Sequence, residues 1–534
     1  MNRLRDLLWR NRGLLAALGA VLVALPATLG LGQPRPLASS SYTEMARSSG
    51  PTHDRGIKAM FSPDGRGLLI YGADQGKVRD LATGEIGRLA TGEFKFGEDY
   101  RWWLYRPRFL DGGRLLVGLL VGGDPEKLIH PTLVIWDFPA GRERATVREV
   151  GDGSHGWKFG TSDDGSTLAY LIGPPGPPTV VVWRSSEDWR PRSFAGKGPI
   201  ALSADGRFLA VVEPGDPSEM VAVWEVASSR RLGTIRDRPE VFALSPDGKT
   251  LAGNGKNGPT LWDVATATRR VDLASSSTGL PWPWFSPDGS RLVLRDRSIE
   301  EGHAQVEFAE VWDLAVGPPR PVFQGYIRGI SRDCRLIVQE GPNLAAPPGS
   351  PGSAAAPDSG MLVEIPSMRP RGPAFGPGLR SVAFSSDGRK VLLHRINMVQ
   401  SSFGPWLRWL PASISSLAPE MTLENRLQVI ETDWGRTLAS VDLSRQTVAL
   451  PGRTAEEFES ALVLAPDGTT LAIHFLQSAE TGDDRDISTV ELWDIRAGFP
   501  RWPILAGLAA AALALGRWSD VRSRRRALAA SMPA

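Results

Sequence analysis

The residues able to do chemistry in this chain are few and scattered. Its six histidines, His53, His130, His155, His303, His394 and His474, stand singly, with no pair at the spacing that puts two imidazoles on one metal ion. They read as ordinary surface or loop residues. A single cysteine, Cys334, allows no intramolecular disulfide. No Gly-x-Ser-x-Gly nucleophile elbow occurs, and Ala195-Gly196-Lys197-Gly198 lacks the flanking pattern of a phosphate-binding loop. Asp483-Asp484-Arg485-Asp486 is rich in carboxylates but reads as a solvated hairpin loop rather than a calcium site. The sequence therefore assigns no catalytic, cofactor-binding or metal-binding residue, and the chain is expected not to be an enzyme.

The candidate interaction surface is apolar. Residues 396–423 carry Phe403, Trp406, Leu407, Trp409 and Leu410, followed by Ile414, Leu417 and Met421. Positions 403, 406, 407 and 410 share a helical face, although Pro405 and Pro411 limit any helix there. Apolar aromatics on a loop that leaves the fold suit a protein partner or the headgroup zone of a bilayer. The alternative is that they fold back as a cap on the protein's own surface.

The elements that would position such a loop come from a repeat. Phe61-Ser62-Pro63-Asp64-Gly65 returns as Leu244-Ser245-Pro246-Asp247-Gly248, Phe285-Ser286-Pro287-Asp288-Gly289 and Phe384-Ser385-Ser386-Asp387-Gly388. Counting degraded copies, its aspartate falls at 64, 111, 164, 205, 247, 288, 333, 387 and 467. Pro at the second position pre-sets φ, Asp bonds nearby amides and Gly tolerates positive φ, so each copy specifies a tight turn between two strands. In residues 241–264 the turn is flanked by Val241 to Leu244, by a strand opening at Leu251 and by Thr260 to Val264. Four such strands make one antiparallel blade, which cannot bury both faces alone and must stack on its neighbours. The copies at 111 and 333 are degraded, since Leu110-Asp111-Gly112 has lost Ser-Pro and Ser331-Arg332-Asp333-Cys334 has Cys in place of Gly.

In four cycles Trp-Asp follows, at Trp136-Asp137, Trp262-Asp263, Trp312-Asp313 and Trp493-Asp494. With this pair and its Ser-Pro-Asp-Gly turns, the chain resembles the bacterial type of WD40-repeat protein over roughly residues 50 to 498. The resemblance implies an all-β fold, a single β-propeller of eight or nine four-stranded blades, and protein–protein contacts through its narrow face and blade loops. It departs from the family in histidine, because no Gly-His pair recurs once per blade. The propeller is expected over 40–498, with insertions at 344–359 and 396–423. The last blade lacks an outer strand of its own, and residues 40–49 are placed to supply it.

Composition adds the setting. The chain has 534 residues, 42% of them hydrophobic, and a net charge of +2, which argues against a nucleic-acid surface. Residues 13–32 carry no charge and are long enough to span ~30 Å of hydrocarbon. Arg3, Arg5, Arg10 and Arg12 precede them, a cytoplasmic signal. The segment 13–33 is an anchor or a cleaved signal peptide, the latter leaving a secreted protein. Residues 502–516 form a shorter uncharged run bracketed by Trp502 and Trp518, and Arg522, Arg524, Arg525 and Arg526 follow it. A hydrophobic helix is thus expected at each chain end, with basic tails 1–12 and 517–534 in the cytoplasm and the propeller on the exoplasmic side. The reading is a membrane-tethered scaffold for an unknown protein partner, without cofactor or nucleic acid. The alternative is a propeller enzyme or enzyme subunit binding a small ligand or cofactor in the central channel.

Overall fold

The computed structural model describes residues 35–45, 58–72, 75–90, 102–122, 131–148, 150, 159–173, 177–213, 220–237, 239, 241–275, 281–296, 307–315, 317–340, 360–376, 378–400, 421–442, 462–477 and 485–495. Among them there is no α-helix; two single turns of 3-10 helix, Asp111–Gly113 and Ser185–Glu187, interrupt an otherwise all-β chain. The strands fall into seven four-stranded antiparallel sheets and one of seven strands. Each copy of the Ser-x-Asp-Gly turn joins the first strand of a four-stranded unit to its second. We number the units by these turns: 58–88, 102–147, 159–195, 197–235, 242–272, 282–327, 326–370, 379–442 and 462–494. Units 6 and 7 make up the seven-stranded sheet, in which the strand Arg320–Ile330 is outermost in unit 6 and innermost in unit 7.

Interior strands are apolar on both faces because each unit is sandwiched between two others. Thr132–Asp137 is buried over its first five residues, whereas the outer strand Arg142–Val147 begins with three exposed ones. The core is correspondingly divided into clusters between successive units. Leu119 and Ile135 of the second, with Val150 from the connection after it, pack on Leu168 and Tyr170 of the third; Val212 and Val223 of the fourth meet Leu251 and Trp262 of the fifth. The first and last units are neighbours in the same way, through Phe61, Leu68 and Ile70 against Ala465, Ala472 and Leu492. Four-stranded meanders stacked face to face, with the first returning to the last, are the architecture of a β-propeller.

The last unit takes its outer strand from the other end of the chain. Arg35–Met45 pairs with Arg485–Asp494, in register from Arg35 opposite Asp494 to Met45 opposite Arg485. The strand expected from 40–49 thus lies at 35–45. The insertion expected over 396–423 also narrows, because strands Lys390–Gln400 and Met421–Glu431 are paired out to Gln400 opposite Met421. Ile396 to Gln400 and Met421 to Leu423 are therefore ladder residues, and 401–420 lies outside the described residues. So do 344–359, the hydrophobic segments 13–32 and 502–516 and both basic tails. Among the described residues no helix is long and apolar enough to cross a membrane.

Two faces follow from the strand order. All turns between first and second strands, and between third and outer strands, emerge on one side, the turn face. The connections between second and third strands, and from one unit to the next, emerge on the other, the loop face.

Candidate functional site: the turn face and the channel mouth

The turn is built from three residues acting together. Ser62 Oγ donates to Asp64 Oδ1 at 2.5 Å, Asp64 Oδ1 accepts the Arg66 amide at 3.1 Å, and Ser62 Oγ accepts the Gly67 amide at 2.9 Å. The same three bonds recur at Ser162/Asp164, Ser203/Asp205, Ser245/Asp247, Ser286/Asp288, Ser331/Asp333 and Ser385/Asp387. These serines are buried and the aspartates sit at the surface, so each carboxylate closes the turn without being taken out of water. Asp288 and Asp387 titrate below the usual carboxylate range. Burial pushes each up, but the serine hydroxyl and the amide beyond the turn together outweigh it.

Glycine is needed here for space as well as for φ. A Cβ on Gly206 would sit 2.0 Å from Thr167 Oγ1 of the preceding unit, and one on Gly248 would meet the Phe208 ring at 2.5 Å. Adjacent turns are stitched by bonds such as Asp111 N–H to Gly165 O at 2.9 Å and Ser386 Oγ to Pro466 O at 2.9 Å. The copy with cysteine forms the same turn: Cys334 adopts φ +55°, is fully buried, and burial pushes its thiol up to about 12. Arg291 of unit 6 secures it by donating to the carbonyls of Cys334 and Ile365. In unit 2, where serine is lost, the 3-10 turn Asp111–Gly113 takes over and Asp111 pairs with Arg114 at 2.8 Å.

The second turn position joins two distant units. Most units place there an uncharged residue: Pro63, Ala204, Pro246, Pro287, Ser386 or Pro466. The charged exceptions are Asp163 in unit 3 and Arg332 in unit 7, and they meet. Arg332 Nη2 donates to the Asp163 carbonyl oxygen at 2.8 Å, across the three intervening units. The indole N–H of Trp284, from the first strand of unit 6 (Trp282–Phe285), donates to the Asp163 carboxyl. Asp163 itself stays exposed to solvent. Burial pushes its carboxyl up and Asp164 adds to this, with Arg332 and Trp284 opposing. Nothing in the repeat pattern singled out this trio, except that proline or a small residue is replaced by charge at two copies.

Two of the tryptophans of the Trp-Asp pairs tie their unit to a preceding segment, and two bond within their own strand, all without histidine. Trp136 Nε1 donates to Ala90 O of unit 1 at 2.5 Å, and Trp262 Nε1 to Asp237 Oδ2, in the connection from unit 4, at 3.1 Å. Trp312 and Trp493 donate to Glu310 and Glu491, two residues earlier on the same strand, at 3.1 and 3.0 Å. His394 corrects the expectation of a surface or loop residue. It lies on Lys390–Gln400, buried, with its Nε2 2.9 Å from Asn425 Oδ1 of the paired strand. The continuous apolar run before it, Val391-Leu392-Leu393, was the available signal, since such a run marks a strand buried on both faces.

The structure brings together none of the sequence-predicted interaction residues, since Phe403, Trp406, Leu407, Trp409 and Leu410 all lie outside the described residues. The strands on either side of them, Lys390–Gln400 and Met421–Glu431, meet the loop face at Gln400 and Met421. Among the described residues no group of three or more His, Cys, Asp or Glu is placed to hold a metal ion.

No family model matches the chain, and no curated protein does. Among solved structures it is similar to a crystal structure of the eukaryotic initiation factor, at 11% identity and TM-score 0.43, covering 84% of this chain and 95% of that one. It is also similar to a crystal structure of a mitotic checkpoint complex, at 15% identity and TM-score 0.35, covering 67% and 91%. Likenesses this distant carry no argument about function, and the architecture rests on the strand order and register themselves.

Proposed function

We propose that this chain is a non-enzymatic, nine-bladed WD40-type scaffold, tethered to a membrane by 13–32 and 502–516, that presents its loop face to a protein partner on the exoplasmic side. The observation that carries the reading is the register of the last unit. Arg35 lies opposite Asp494, and Asp494 lies opposite Thr470, immediately after a turn of the turn face. The chain therefore leaves the disc toward both hydrophobic segments from one point of one face. The strands that flank 401–420, the segment of Phe403, Trp406, Leu407, Trp409 and Leu410, meet the opposite face at Gln400 and Met421. Two anchors on one side and the apolar insertion on the other orient the disc with its loops away from the bilayer. Tryptophans such as Trp406 and Trp409 are the residue type that most often anchors a protein interface.

Two measurements test this. A topology reporter inserted within 344–359 is expected to be active only outside the cytoplasm; activity confined to the cytoplasm overturns the orientation. A photoreactive side chain at Trp409 is expected to give a discrete crosslinked protein in intact membranes, while the same group at Ala265 on the turn face gives none. Equal labelling from both positions removes the loop face from the interaction.

A further inference from the structure

Five large hydrophobic residues are exposed among those described: Ile86, Tyr105, Trp282, Tyr326 and Trp434. Single exposed hydrophobics need no explanation on their own. Here their positions differ. Tyr105 pairs with Leu119 in the loop-face half of its ladder, Trp282 opens a first strand on the loop side, and Tyr326 lies opposite Phe308 and Glu340 at strand ends on the loop side. The two most exposed, Trp434 at 79% and Ile86 at 50%, are on the turn face. Trp434 occupies the turn after the third strand of unit 8, held there by the Thr432 amide and hydroxyl on Arg389 O and Gly388 O. Ile86 is the first residue of the outer strand of unit 1, opposite Arg79 and just past the turn.

Units 8 and 1 are the two neighbours of unit 9, which carries both Arg35 and Asp494. The two apolar tips thus flank the point from which the chain runs to its hydrophobic segments. Charges of both signs stand on the same arc: Arg66, Asp64 and Glu85 in unit 1, and Arg389, Asp387, Asp433 and Arg436 in unit 8, the last paired with Glu431 at 3.3 Å. An exposed tryptophan is the residue enriched where protein meets lipid headgroups, its indole at the headgroup level.

We infer that the turn-face arc of units 8, 9 and 1 rests on the lipid headgroups, with Trp434 and Ile86 dipping into the interface on either side of the anchors. The inference rests on the tethered reading above and adds to it a tilt: this arc touches the membrane, and units 4 and 5 stand off it.

The test uses the full chain in vesicles of phosphatidylcholine and phosphatidylglycerol, with a thiol-linked fluorophore at Trp434→Cys, Ile86→Cys or Ala265→Cys, the last on the turn face of unit 5. Cys334 is buried, and the unaltered chain carried through the labelling reports any background from it. A lipid bearing a headgroup nitroxide is expected to remove most of the fluorescence at 434 and 86 and little at 265. If the protein floats with the vesicles but 434 and 86 are quenched no more than 265, the tether stands and the arc is wrong. If it fails to float, both the tether and the arc fall.

Discussion

The two faces of this disc are made by the same chain under opposite constraints. On the turn face, connections are a few residues long, closed by the same serine, aspartate and amide bonds in unit after unit, and packed so tightly against the next that a methyl group does not fit at Gly206. On the loop face, the link between second and third strands runs from the two residues Lys256 and Asn257 to the twenty of 401–420. The lesson is a division of labour. Bonds that repeat per unit specify the ring; whatever distinguishes this protein from another ring lies in connections that differ from unit to unit. The charged exceptions, Asp163 and Arg332, are the point where unit-specific residues enter the turn face.

That division can be broken most forcefully at the buried tryptophans beneath the turn face. Trp262→Ala removes a fully buried indole from the cluster between units 4 and 5 and leaves Asp237 without its donor, and is expected to cost about 3–5 kcal/mol in urea unfolding. Deleting 344–359 from the loop face should leave the midpoint unchanged. A loop deletion as costly as the tryptophan would show that the loop face is structural after all.

Gly206→Ala comes next. The new Cβ would have to displace Thr167, 2.0 Å away, and would also hold alanine at φ +64°. A left-handed alanine costs about 1–2 kcal/mol and overpacking about 1–3 kcal/mol, so roughly 3 kcal/mol is expected by calorimetry. Gly65→Ala isolates the backbone part, because its Cβ would meet nothing within 4 Å at φ +70°.

Smaller again is the serine bond itself. Ser245→Ala deletes the donor to Asp247 and the acceptor of the Thr250 amide, and about 1–3 kcal/mol is expected for the buried amide left unpaired. The aspartates add a pH dependence of definite sign. Asp288 and Asp387 have folded pKa values below their unfolded ones, so their stabilisation is present above the unfolded carboxylate pKa of about 4 and is lost as pH falls through the folded value. Asp387→Asn should flatten part of the acid limb and leave stability around neutral pH to be set by its weaker hydrogen bonds. A deeper acid limb in that variant would contradict the direction.

Much of this was legible beforehand because the turn chemistry is local. Ser-Pro-Asp-Gly places donor, acceptor and positive-φ residue within four positions, so the turns, their spacing and the stacked sheets could be read without any tertiary contact. The degraded copy at 333 kept its turn, since Ser331, Asp333 and a left-handed residue are all retained, whereas the copy at 111, without serine, closed as a shorter 3-10 turn. Other features depend on contacts between distant segments, and local pattern is blind to them. Arg332 finds Asp163 across three units, Trp262 finds a carboxylate in the preceding connection, and the strand that completes the last unit begins at Arg35 rather than at residue 40. His394 was misplaced for the same reason: a lone histidine carries no sign of the asparagine that will face it from the partner strand.

The least disruptive change should be the one that restores the repeat, Cys334→Gly. Cysteine at φ +55° carries the left-handed penalty of about 1–2 kcal/mol that glycine would relieve. Against this, glycine widens the unfolded ensemble by about 0.4–1 kcal/mol and empties a buried site lined by Val293, Ile337 and Val363, at about 0.8 kcal/mol for each buried carbon lost. The terms are of similar size and opposite sign, so the denaturation midpoint should scarcely move. Arg291 donates to main-chain carbonyls, which the substitution keeps, and the turn's tie to unit 6 should survive it. The thiol offers an independent check, because a buried group pushed up to about 12 stays protonated at neutral pH. An aromatic disulfide reagent should therefore react with Cys334 only as fast as the ring opens. Rapid reaction in native buffer would mean that the turn of unit 7 breathes in a way its neighbours, closed by glycine, do not.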